Sequence, residues 1–581
     1  MQVELVNKDI QEDYGKELLR ERGVEDVDLF INPNLDCLED WKNLENIDKG
    51  IELIRGLREY SEIGLIIDPD VDGFSSATIV YQYLKELFPT IKIKYFLHQG
   101  KKHGVDEFHE ELKESDFDLF IVPDAGSNDG EYIKEWNFPV LVIDHHEVDI
   151  AYIPPNMTLI NNQISPLYKN KSQSGAGIVY QFCRGLDEVF EVDFSKNYLD
   201  LAAIGSISDM MSGLELENQY IWKKGLSKIN NAFLKSLVLS QAYGITGNSR
   251  AADFQVFEAL NPTSISFYVA PLINAMIRVG TDEQKEKLFK AFLDGTQPIP
   301  STKRGSKGEI VEISEDVIRE CNNAKARQNR VKDKATQNIR GKIEKNDLLH
   351  NEILFIELEE NDDFPPEMNG LIATSLVSQY GKPTMIGRKN QEGDVSGSIR
   401  GKENTGLESF KGYLESTGKM NYVAGHPMAA GFSIPENQLT SLLEQSNKDL
   451  AKLKLGEGVY KVNFKRFASD SDILDLVYDL AFYKDIWSHM NKEPLICIED
   501  IYISPEEVQV IGRNQDTLKF LKNGVTYIQF KADKLIQELS NCEDLKLTIV
   551  GTANVNVWNQ NKTPQIMIKD YSSSVSSIFD F

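Results

Sequence analysis

Three apolar runs near the start of the chain stop abruptly at an aspartate, and this pattern limits the fold more than any other feature. The runs and the acids that follow them are Ile63–Ile67 with Asp68, Leu119–Val122 with Asp124, and Val140–Ile143 with Asp144. Such unbroken runs are typical of strands buried on both faces of a parallel sheet that helices cover. Because the carboxyl ends of parallel strands meet at one edge of a sheet, we predict an α/β fold in which these acids converge.

The converging side chains have the chemistry of a divalent-metal site. They are Asp68, Asp70 and Asp72 after the first run, Asp124 after the second, and Asp144, His145 and His146 after the third. Several ionised carboxylates in one cleft repel each other, and a cation removes that cost. Oxygen ligands with one or two imidazoles favour Mn²⁺ or Mg²⁺ over a structural zinc, which prefers thiolates.

Each of these signals also has a simpler interpretation. Asp144-His145-His146 alone could be a helix cap with solvated imidazoles. The acids at 68–72 could belong to a calcium loop, but the later glutamate that such a loop needs is missing. The apolar segment Leu201–Ser208 leads into Asp209, which alone would be a cap but after three similar runs becomes a candidate ligand. Ser174–Gly177 opens a helix that could cradle a phosphate or could simply pack closely.

Composition limits the partners of the chain. The 581 residues carry a net charge of −27, so nucleic-acid binding would need a local basic track. The best candidate lies at 324–345, where the cations are Lys325, Arg327, Arg330, Lys332, Lys334, Arg340, Lys342 and Lys345. On a helix these cations could contact phosphates or form a solvated face.

Cysteine usage and hydropathy indicate the compartment. The five cysteines form no CxxC pair, which argues against both a thiolate zinc site and a disulfide framework. No apolar run reaches membrane-spanning length, and the first residues lack the features of a secretion signal. We therefore expect a cytoplasmic protein without a membrane partner.

The motifs together resemble the DHH phosphoesterase superfamily. The matching motifs are Asp68-Pro69-Asp70-Val71-Asp72-Gly73, Asp124-Ala125-Gly126, Asp144-His145-His146 and Asp209. Within it the chain resembles RecJ-type single-strand-specific exonucleases through Ile273–Arg278, through Gly425–Gly431, which is similar to the glycine-histidine motif of DHHA1 domains, and through Val550–Trp558, which is similar to an OB-type domain. Pro69 and Ala424 depart from the usual Gly-Asp-Tyr-Asp and Gly-Gly-His patterns.

The resemblance implies a role for each candidate residue. Asp72, Asp124, His145 and Asp209 would hold one metal ion, and Asp70 would hold a second with Asp124 bridging and Asp68 assisting. His146 would face the scissile phosphate and Asp144 would orient the histidine pair. The substrate-binding candidates are Arg278 and Arg400, whose guanidinium groups match phosphate geometry, together with Gly425 and His426. His426 could instead be a core histidine.

The resemblance also implies an organisation and an activity. We expect an N-terminal segment with the DHH catalytic domain at 1–230, a helical connector at 231–262, a DHHA1-like substrate-binding domain at 263–455, an OB-like β-barrel at 456–571 and a flexible tail at 572–581. The implied enzyme is a 5′→3′ exonuclease that degrades single-stranded DNA to 5′-mononucleotides in DNA recombination, repair or replication. It would use two divalent ions, with Mn²⁺ preferred and Mg²⁺ the alternative.

Two other functions remain open at this level. A DHH phosphodiesterase acting on oligoribonucleotides, cyclic dinucleotides or pyrophosphate would share the acids but would not explain the domain after residue 456. A non-catalytic DNA-binding scaffold would not explain why every expected ligand is present. For the exonuclease we expect a monomer that works with single-strand-binding or helicase proteins. Trp558, Tyr527 or Phe530 could stack on unpaired bases, although we expect each of them taken singly to pack in the core.

Overall fold

The computed structural model describes residues 1–581 except 7–9, 11, 100–101, 150–151, 360–361, 363, 391–392, 454–457, 488–490, 513–514, 543, 559–560 and 576–581. Contacts divide the chain into two compact units. The first unit contains Val24–Gln328 and Asp485–Lys492, and the second contains Met1–Gly23, Asn329–Lys484 and Glu493–Phe581. Among the described residues, no helix combines the length and the apolar composition that crossing a membrane requires.

The described strands, in chain order, are β1 (Gln2–Leu5), β2 (Glu62–Ile67), β3 (Lys92–Leu97), β4 (Leu119–Pro123), β5 (Val140–Asp144), β6 (Met157–Asn161), β7 (Pro298–Pro300), β8 (Ile310–Glu312), β9 (Leu354–Leu358), β10 (Thr384–Lys389), β11 (Asp394–Arg400), β12 (Tyr422–His426), β13 (Ala429–Pro435), β14 (Val459–Val462), β15 (Phe464–Phe467), β16 (Ile496–Ile503), β17 (Val508–Ile511), β18 (Thr517–Lys522), β19 (Val525–Gln529), β20 (Leu545–Trp558) and β21 (Asn561–Val575).

The described α-helices are α1 (Tyr14–Glu21), α2 (Val27–Ile31), α3 (Ile47–Arg55), α4 (Val71–Leu87), α5 (His109–Lys113), α6 (Gly130–Ile133), α7 (Gly175–Phe190), α8 (Leu199–Ser208), α9 (Leu216–Ser227), α10 (Ala232–Ser240), α11 (Ala242–Thr246), α12 (Asp253–Glu258), α13 (Pro262–Ser264), α14 (Ala270–Val279), α15 (Asp282–Leu293), α16 (Ile313–Lys345), α17 (Asn369–Tyr380), α18 (Phe410–Ser416), α19 (Glu436–Leu450), α20 (Ile473–Phe482) and α21 (Asp533–Ser540).

The first unit is built on a parallel sheet with the strand order β3-β2-β4-β5-β6. The three runs that end in aspartate form the central strands β2, β4 and β5, so the α/β prediction is confirmed. β3, whose residues alternate more in polarity, lies at one edge. The sequence does not predict β6, because Thr158 and Asn161 interrupt its short apolar pattern.

Asp209 follows a helix, unlike the other acids. The segment before it is α8, whose residues from Asp200 to Ile207 are all buried. Small residues such as Ala202, Ala203 and Gly205 allow neighbouring helices to pack closely around it. A helix buried on every side has no polar face, so its apolar run looked like that of a buried strand.

The start of α4 determines where the first acids point. Asp70 caps this helix by accepting a hydrogen bond from the Gly73 amide at 3.0 Å, so Asp72 lies in the first turn. Ser75 and Ser76 also belong to a residue type that often caps helices, but they lie in the second turn of α4 and are fully buried. The proline at position 69 is compatible with this turn because a proline before a helix needs no hydrogen-bond donor.

The second unit contains two larger sheets. One has the order β12-β13-β11-β10-β9 and the other, spanning residues 464–575, has the order β15-β16-β20-β21-β19-β18-β17. The first strand of the chain, β1, pairs in parallel with β14, so contacts assign Met1–Gly23 to this unit and not to the unit of the parallel sheet. Backbone hydrogen bonds to β14 hold β1 in this unit, and the short N-terminal sequence has no pattern that predicts this pairing.

The predicted basic track lies on one long helix, α16. The division between the units falls within this helix, after Gln328. The helices α14 and α15 belong to the first unit, because α14 buries Ile273 and Met276 in the core of that unit. The predicted boundary between the connector and the DHHA1-like domain lay earlier, near residue 262. Arg340 donates to Gln379 and Lys342 donates to Asp362, so part of the track is used within the protein.

The two larger sheets also decide which aromatic side chains are available. Tyr527 is buried and stacks on Phe520 with ring centroids 4.9 Å apart, so it belongs to the core and is not a base-stacking platform. Phe530 is 64% exposed. The side chain of Trp558 lies outside the described residues.

Close packing between β2 and β4 leads to a stability prediction. A methyl group at Gly64 would lie 2.1 Å from the buried Phe120 ring. We expect Gly64→Ala to reduce the free energy of unfolding by about 1 to 3 kcal/mol, because the ring has no free space into which to move. The midpoint of urea unfolding measures this effect.

Gly341→Ala is the matched control, because a methyl group added at this helical glycine in α16 would meet nothing within 4 Å. It should raise the free energy of unfolding by about 0.5 to 1 kcal/mol. An unchanged unfolding midpoint in Gly64→Ala would contradict the packing described here.

Candidate metal centre

The structure brings the predicted acids and histidines together at the carboxyl edge of the parallel sheet. Their ligand atoms form three overlapping groups, and within each group the atoms lie within 4.8 Å of one another. The groups are Asp68, Asp70 and Asp124; Asp72, His145 and Asp209; and Asp124, Asp144, His145 and His146. Asp124 and His145 each belong to two groups, so the cluster is continuous.

His145 lies at the centre of the cluster. Its Nε2 atom is 3.3 Å from Asp124 Oδ1 and 3.5 Å from Asp209 Oδ2. Burial, followed by the charge of His146, lowers the pKa of His145 to about 4. The imidazole is therefore neutral at physiological pH, which is the form that binds a metal.

Asp72 and Asp124 are buried beside His145 and Asp209 is partly exposed, and the described residues around them supply less positive charge than three carboxylates require. Burial first, and neighbouring acids next, raise the pKa of Asp72 to about 6 and raise those of Asp124 and Asp209 well above the usual range. Asp124 Oδ1 is buried and makes no hydrogen bond within the described part of the chain. An oxygen-rich cluster with an unsatisfied buried carboxylate fits divalent cations.

Asp72 is held by the start of α7. The backbone amides of Gly175 and Ala176 donate to its two carboxylate oxygens at 2.8 and 3.1 Å. These are the amides that the sequence allowed as a phosphate cradle, and here they bind a side chain of the protein. A methyl group at Gly205 would lie 2.2 Å from Asp72 Oδ1, so α8 holds the carboxylate from another side.

Asp124 lies in a strained turn after β4. Its φ angle is 65°, in the left-handed region that non-glycine residues rarely adopt, and Gly126 follows with a φ of 91°. The Asp124 amide donates to the Ile143 carbonyl at 2.8 Å, which ties the turn to β5. Such a backbone conformation is energetically unfavourable, and strained residues of this kind are typical of functional sites.

Asp144 and His146 form a pair beside this cluster. Asp144 accepts hydrogen bonds from the Ser127 amide at 3.1 Å and from His146 Nδ1 at 2.8 Å. Burial alone raises the pKa of Asp144, but the hydrogen bond and charge of His146 outweigh burial and lower it. The same hydrogen bond raises the pKa of His146 to about 9, so this half-exposed imidazole is cationic at neutral pH.

Three further residues contact the cluster, and the sequence does not predict them. His103 Nδ1 lies 2.9 Å from Asp68 Oδ2, Asn161 Nδ2 donates to the His146 carbonyl at 2.9 Å, and Gln163 Nε2 donates to the His145 carbonyl at 3.0 Å. No spacing in the sequence marks them, because each reaches the site from a loop or a strand end. Only the fold shows that they are close to it.

Arg278 is the one predicted substrate-binding residue in the first unit. It lies in the last turn of α14. Burial lowers its pKa, whereas the charge of Asp70 raises it, so the guanidinium group acts electrostatically on the acid cluster.

The other three substrate-binding candidates lie in the second unit. Arg400 on β11 and His426 on β12 are both opposite Ala429 on the strand between them. Residues opposite one another in antiparallel strands point to the same face, so the arginine and the histidine flank a small residue there. Gly425 has a φ of 129°, which favours glycine at that position.

The fold and the cluster define the class: an α/β protein that gathers acids and histidines at the carboxyl edge of a parallel sheet. Residues 63–206 match the model of the DHH family, N-terminal domain, and residues 478–570 match the RecJ OB domain. The chain is 35% identical over 566 residues to the putative SPbeta prophage-derived single-strand DNA-specific exonuclease YorK of Bacillus subtilis strain 168, covering 95% of this chain and 94% of that protein.

Two further relatives agree with this match. The single-stranded-DNA-specific exonuclease RecJ of the same organism is 23% identical over 586 residues, covering 97% of this chain and 68% of that protein. The crystal structure of RecJ in complex with Mn²⁺ from Thermus thermophilus has the same fold, with a TM-score of 0.72 and 19% identity over 99% of this chain and 80% of that one. The chain therefore belongs to the DHH family, and within it to the RecJ-type proteins.

The repulsion within the cluster leads to a prediction about metal and stability. We expect Asp124→Asn to raise the melting temperature of the metal-free protein, because it removes a buried carboxylate with an unsatisfied oxygen. A ligand stabilises a protein only by binding its folded state. Because Asp124→Asn removes the proposed shared ligand, Mn²⁺ should no longer raise the melting temperature of this variant. Thermal unfolding with and without Mn²⁺ measures both effects.

Asp193→Asn is the control, because this acid pairs with Lys196 at the exposed surface. It should leave both melting temperatures close to the native values. A full response to Mn²⁺ in Asp124→Asn would exclude Asp124 as a shared ligand.

Proposed function

We propose that this protein is a two-metal exonuclease that hydrolyses single-stranded DNA from the 5′ end to 5′-mononucleotides. The observation that carries the proposal is the continuous acid and histidine cluster, in which Asp124 is shared by two groups of candidate ligands. Two-metal phosphoesterases use a shared ligand to hold the ions close together. Its relatives named as single-strand DNA-specific exonucleases, YorK and RecJ, support the same substrate.

In this proposal, two sets of ligands meet at Asp124. Asp72, Asp124, His145 and Asp209 would hold one ion, and Asp70 with Asp124 would hold the other, assisted by Asp68. Mn²⁺ is preferred over Mg²⁺ because an imidazole is among the ligands. When bound, two divalent ions polarise the phosphate and make a water molecule more acidic.

His146 is proposed to stabilise charge on the reacting phosphate. Its Nδ1 atom donates to Asp144, so the protonated ring can present Nε2–H to a phosphoryl oxygen. Asp144 keeps the ring cationic and fixes its orientation, since its hydrogen bond raises the pKa of His146 to about 9. Asp68 completes the acidic edge and is itself held by His103.

The strand would be held by cations and by backbone close to the phosphates. Arg278 is proposed to bind a phosphate near the acids, and Arg400, Gly425 and His426 to bind the strand in the second unit. Phe530 is a candidate for stacking on unpaired bases. The domain limits 1–230, 231–262, 263–455, 456–571 and 572–581 stay part of this proposal, with β21 continuing the last sheet as far as Val575.

The proposed context is DNA recombination, repair or replication in the cytoplasm. We propose that the protein is a monomer. Because its net charge of −27 disfavours indiscriminate binding to DNA, we also propose that it acts together with single-strand-binding or helicase proteins.

Digestion of single strands with one end blocked at a time tests the activity. With Mn²⁺, we expect a 5′-phosphorylated single strand with a blocked 3′ end to be degraded to mononucleotides. The same strand blocked at its 5′ end, and a blunt duplex, should persist. Faster cleavage of dinucleotides or cyclic dinucleotides would favour a small-substrate phosphodiesterase, and no cleavage at all would favour a DNA-binding scaffold.

Replacing His146 tests the catalytic step. We expect His146→Gln to lower kcat by about 10²- to 10³-fold, because it removes a cationic donor to the charge that develops on the phosphoryl group. The KM for a single strand should change much less, since the groups proposed to bind the strand remain. His350→Gln, a change at an exposed histidine of the second unit, is the control, and an equal loss in both variants would exclude the role of His146.

A further inference from the structure

Glu217, in the first turn of α9, is a buried carboxylate outside the acid cluster. It is only 2% exposed and accepts hydrogen bonds from three side chains of one loop. The donors and distances are Tyr168 Oη at 2.8 and 2.9 Å, Asn170 Nδ2 at 2.8 Å and Gln173 Nε2 at 2.9 Å. Gln181 of α7 and the Glu39 amide also donate to it. Among the described residues, no cation forms an ion pair with it.

The segment that Glu217 holds, called loop 161–174, runs from the last residue of β6 to the residue that caps α7, and it contacts the candidate metal ligands in several places. At its start, Asn161 and Gln163 donate to the carbonyls of His146 and His145. At its end, Gln173 Oε1 accepts from the Ser174 amide at 3.0 Å, and Ser174 caps α7. The next two amides donate to Asp72.

A further contact connects this loop to the segment after Asp209. The Ser212 amide donates to Ser172 Oγ at 2.7 Å, and Asn218 Nδ2 donates to the carbonyls of Ser172 and Ser212 at 2.8 and 2.9 Å. Asn218 is the next residue after Glu217, so the start of α9 holds both segments. The ligand candidates His145, Asp72 and Asp209 are thereby linked to one hub.

We propose that Glu217 is a positioning residue that sets the spacing of the metal ligands without contacting the metal. This inference deepens the proposed two-metal function and rests on it. One carboxylate can accept about four hydrogen bonds, so Glu217 can hold several amide and hydroxyl donors at once. A neutral glutamine at position 217 would place its own NH₂ group among these donors. It would therefore accept fewer hydrogen bonds than the carboxylate does.

A purely structural role would have a different consequence. Any buried carboxylate with several donors stabilises the folded protein, so loss of stability does not distinguish the two roles. Asp200 offers the comparison, because it is equally buried and accepts from the amides of Leu201, Asn230 and Asn231. It lies at the other end of α8 from Asp209, and none of these three donors belongs to loop 161–174.

The experiment measures Mn²⁺ binding to the full chain by titration calorimetry, without DNA. We expect Glu217→Gln to raise the Kd for Mn²⁺ by about 10- to 100-fold, the cost typical of losing a group that orients metal ligands. Asp200→Asn should leave this Kd within about threefold of native while lowering the metal-free melting temperature. Gln173→Ala, which removes one of the links, should raise the Kd in the same direction as Glu217→Gln.

Each outcome decides the proposal. An unchanged Kd in both Glu217→Gln and Gln173→Ala overturns it, and so does an equal rise in Asp200→Asn. If Glu217→Gln does not fold, Gln173→Ala compared with Asp200→Asn decides by the same criterion. Because the readout is metal binding without substrate, a native chain that binds Mn²⁺ but does not cleave DNA would contradict the nuclease proposal alone.

Discussion

The mutual repulsion of buried carboxylates is the constraint on which the rest of the structure depends. The buried Asp72 and Asp124 and the partly exposed Asp209 lie in one cluster, and desolvation together with their acidic neighbours raises the pKa of each. An apolar interior would not tolerate this arrangement without a compensating charge. The cluster therefore makes physical sense as a site for divalent cations, which the uncompensated Asp124 oxygen also indicates.

The fold holds these acids in place by rigid contacts from several directions. Amides at the start of α7 bind Asp72, a left-handed turn positions Asp124, and close approach at Gly205 leaves Asp72 little room to move. This preorganisation reduces the cost of reorganising the ligands when ions bind. The network around Glu217 extends the same principle to the loop beneath the cluster.

Much of the fold and site followed from local patterns. The runs before Asp68, Asp124 and Asp144 predicted the central parallel strands, because buried strands leave an unbroken apolar signal. The N-terminal cap of α4 was less predictable. Asp70, Ser75 and Ser76 are all residue types that cap helices, and only the backbone geometry shows that Asp70 is the cap. Helix α8 resembled a strand because burial on all sides removes the periodicity that distinguishes a helix.

The order of residues along the chain by itself determined which acids and histidines end the buried strands, because strand pattern and side-chain chemistry are local properties. Only the tertiary structure decided that His103 contacts Asp68, that β1 pairs with β14 and that Glu217 holds loop 161–174. These contacts join residues 35 to more than 400 positions apart, as in Gln2 with Val459. No local spacing encodes them, since they depend on how the packed elements close their hydrogen bonds.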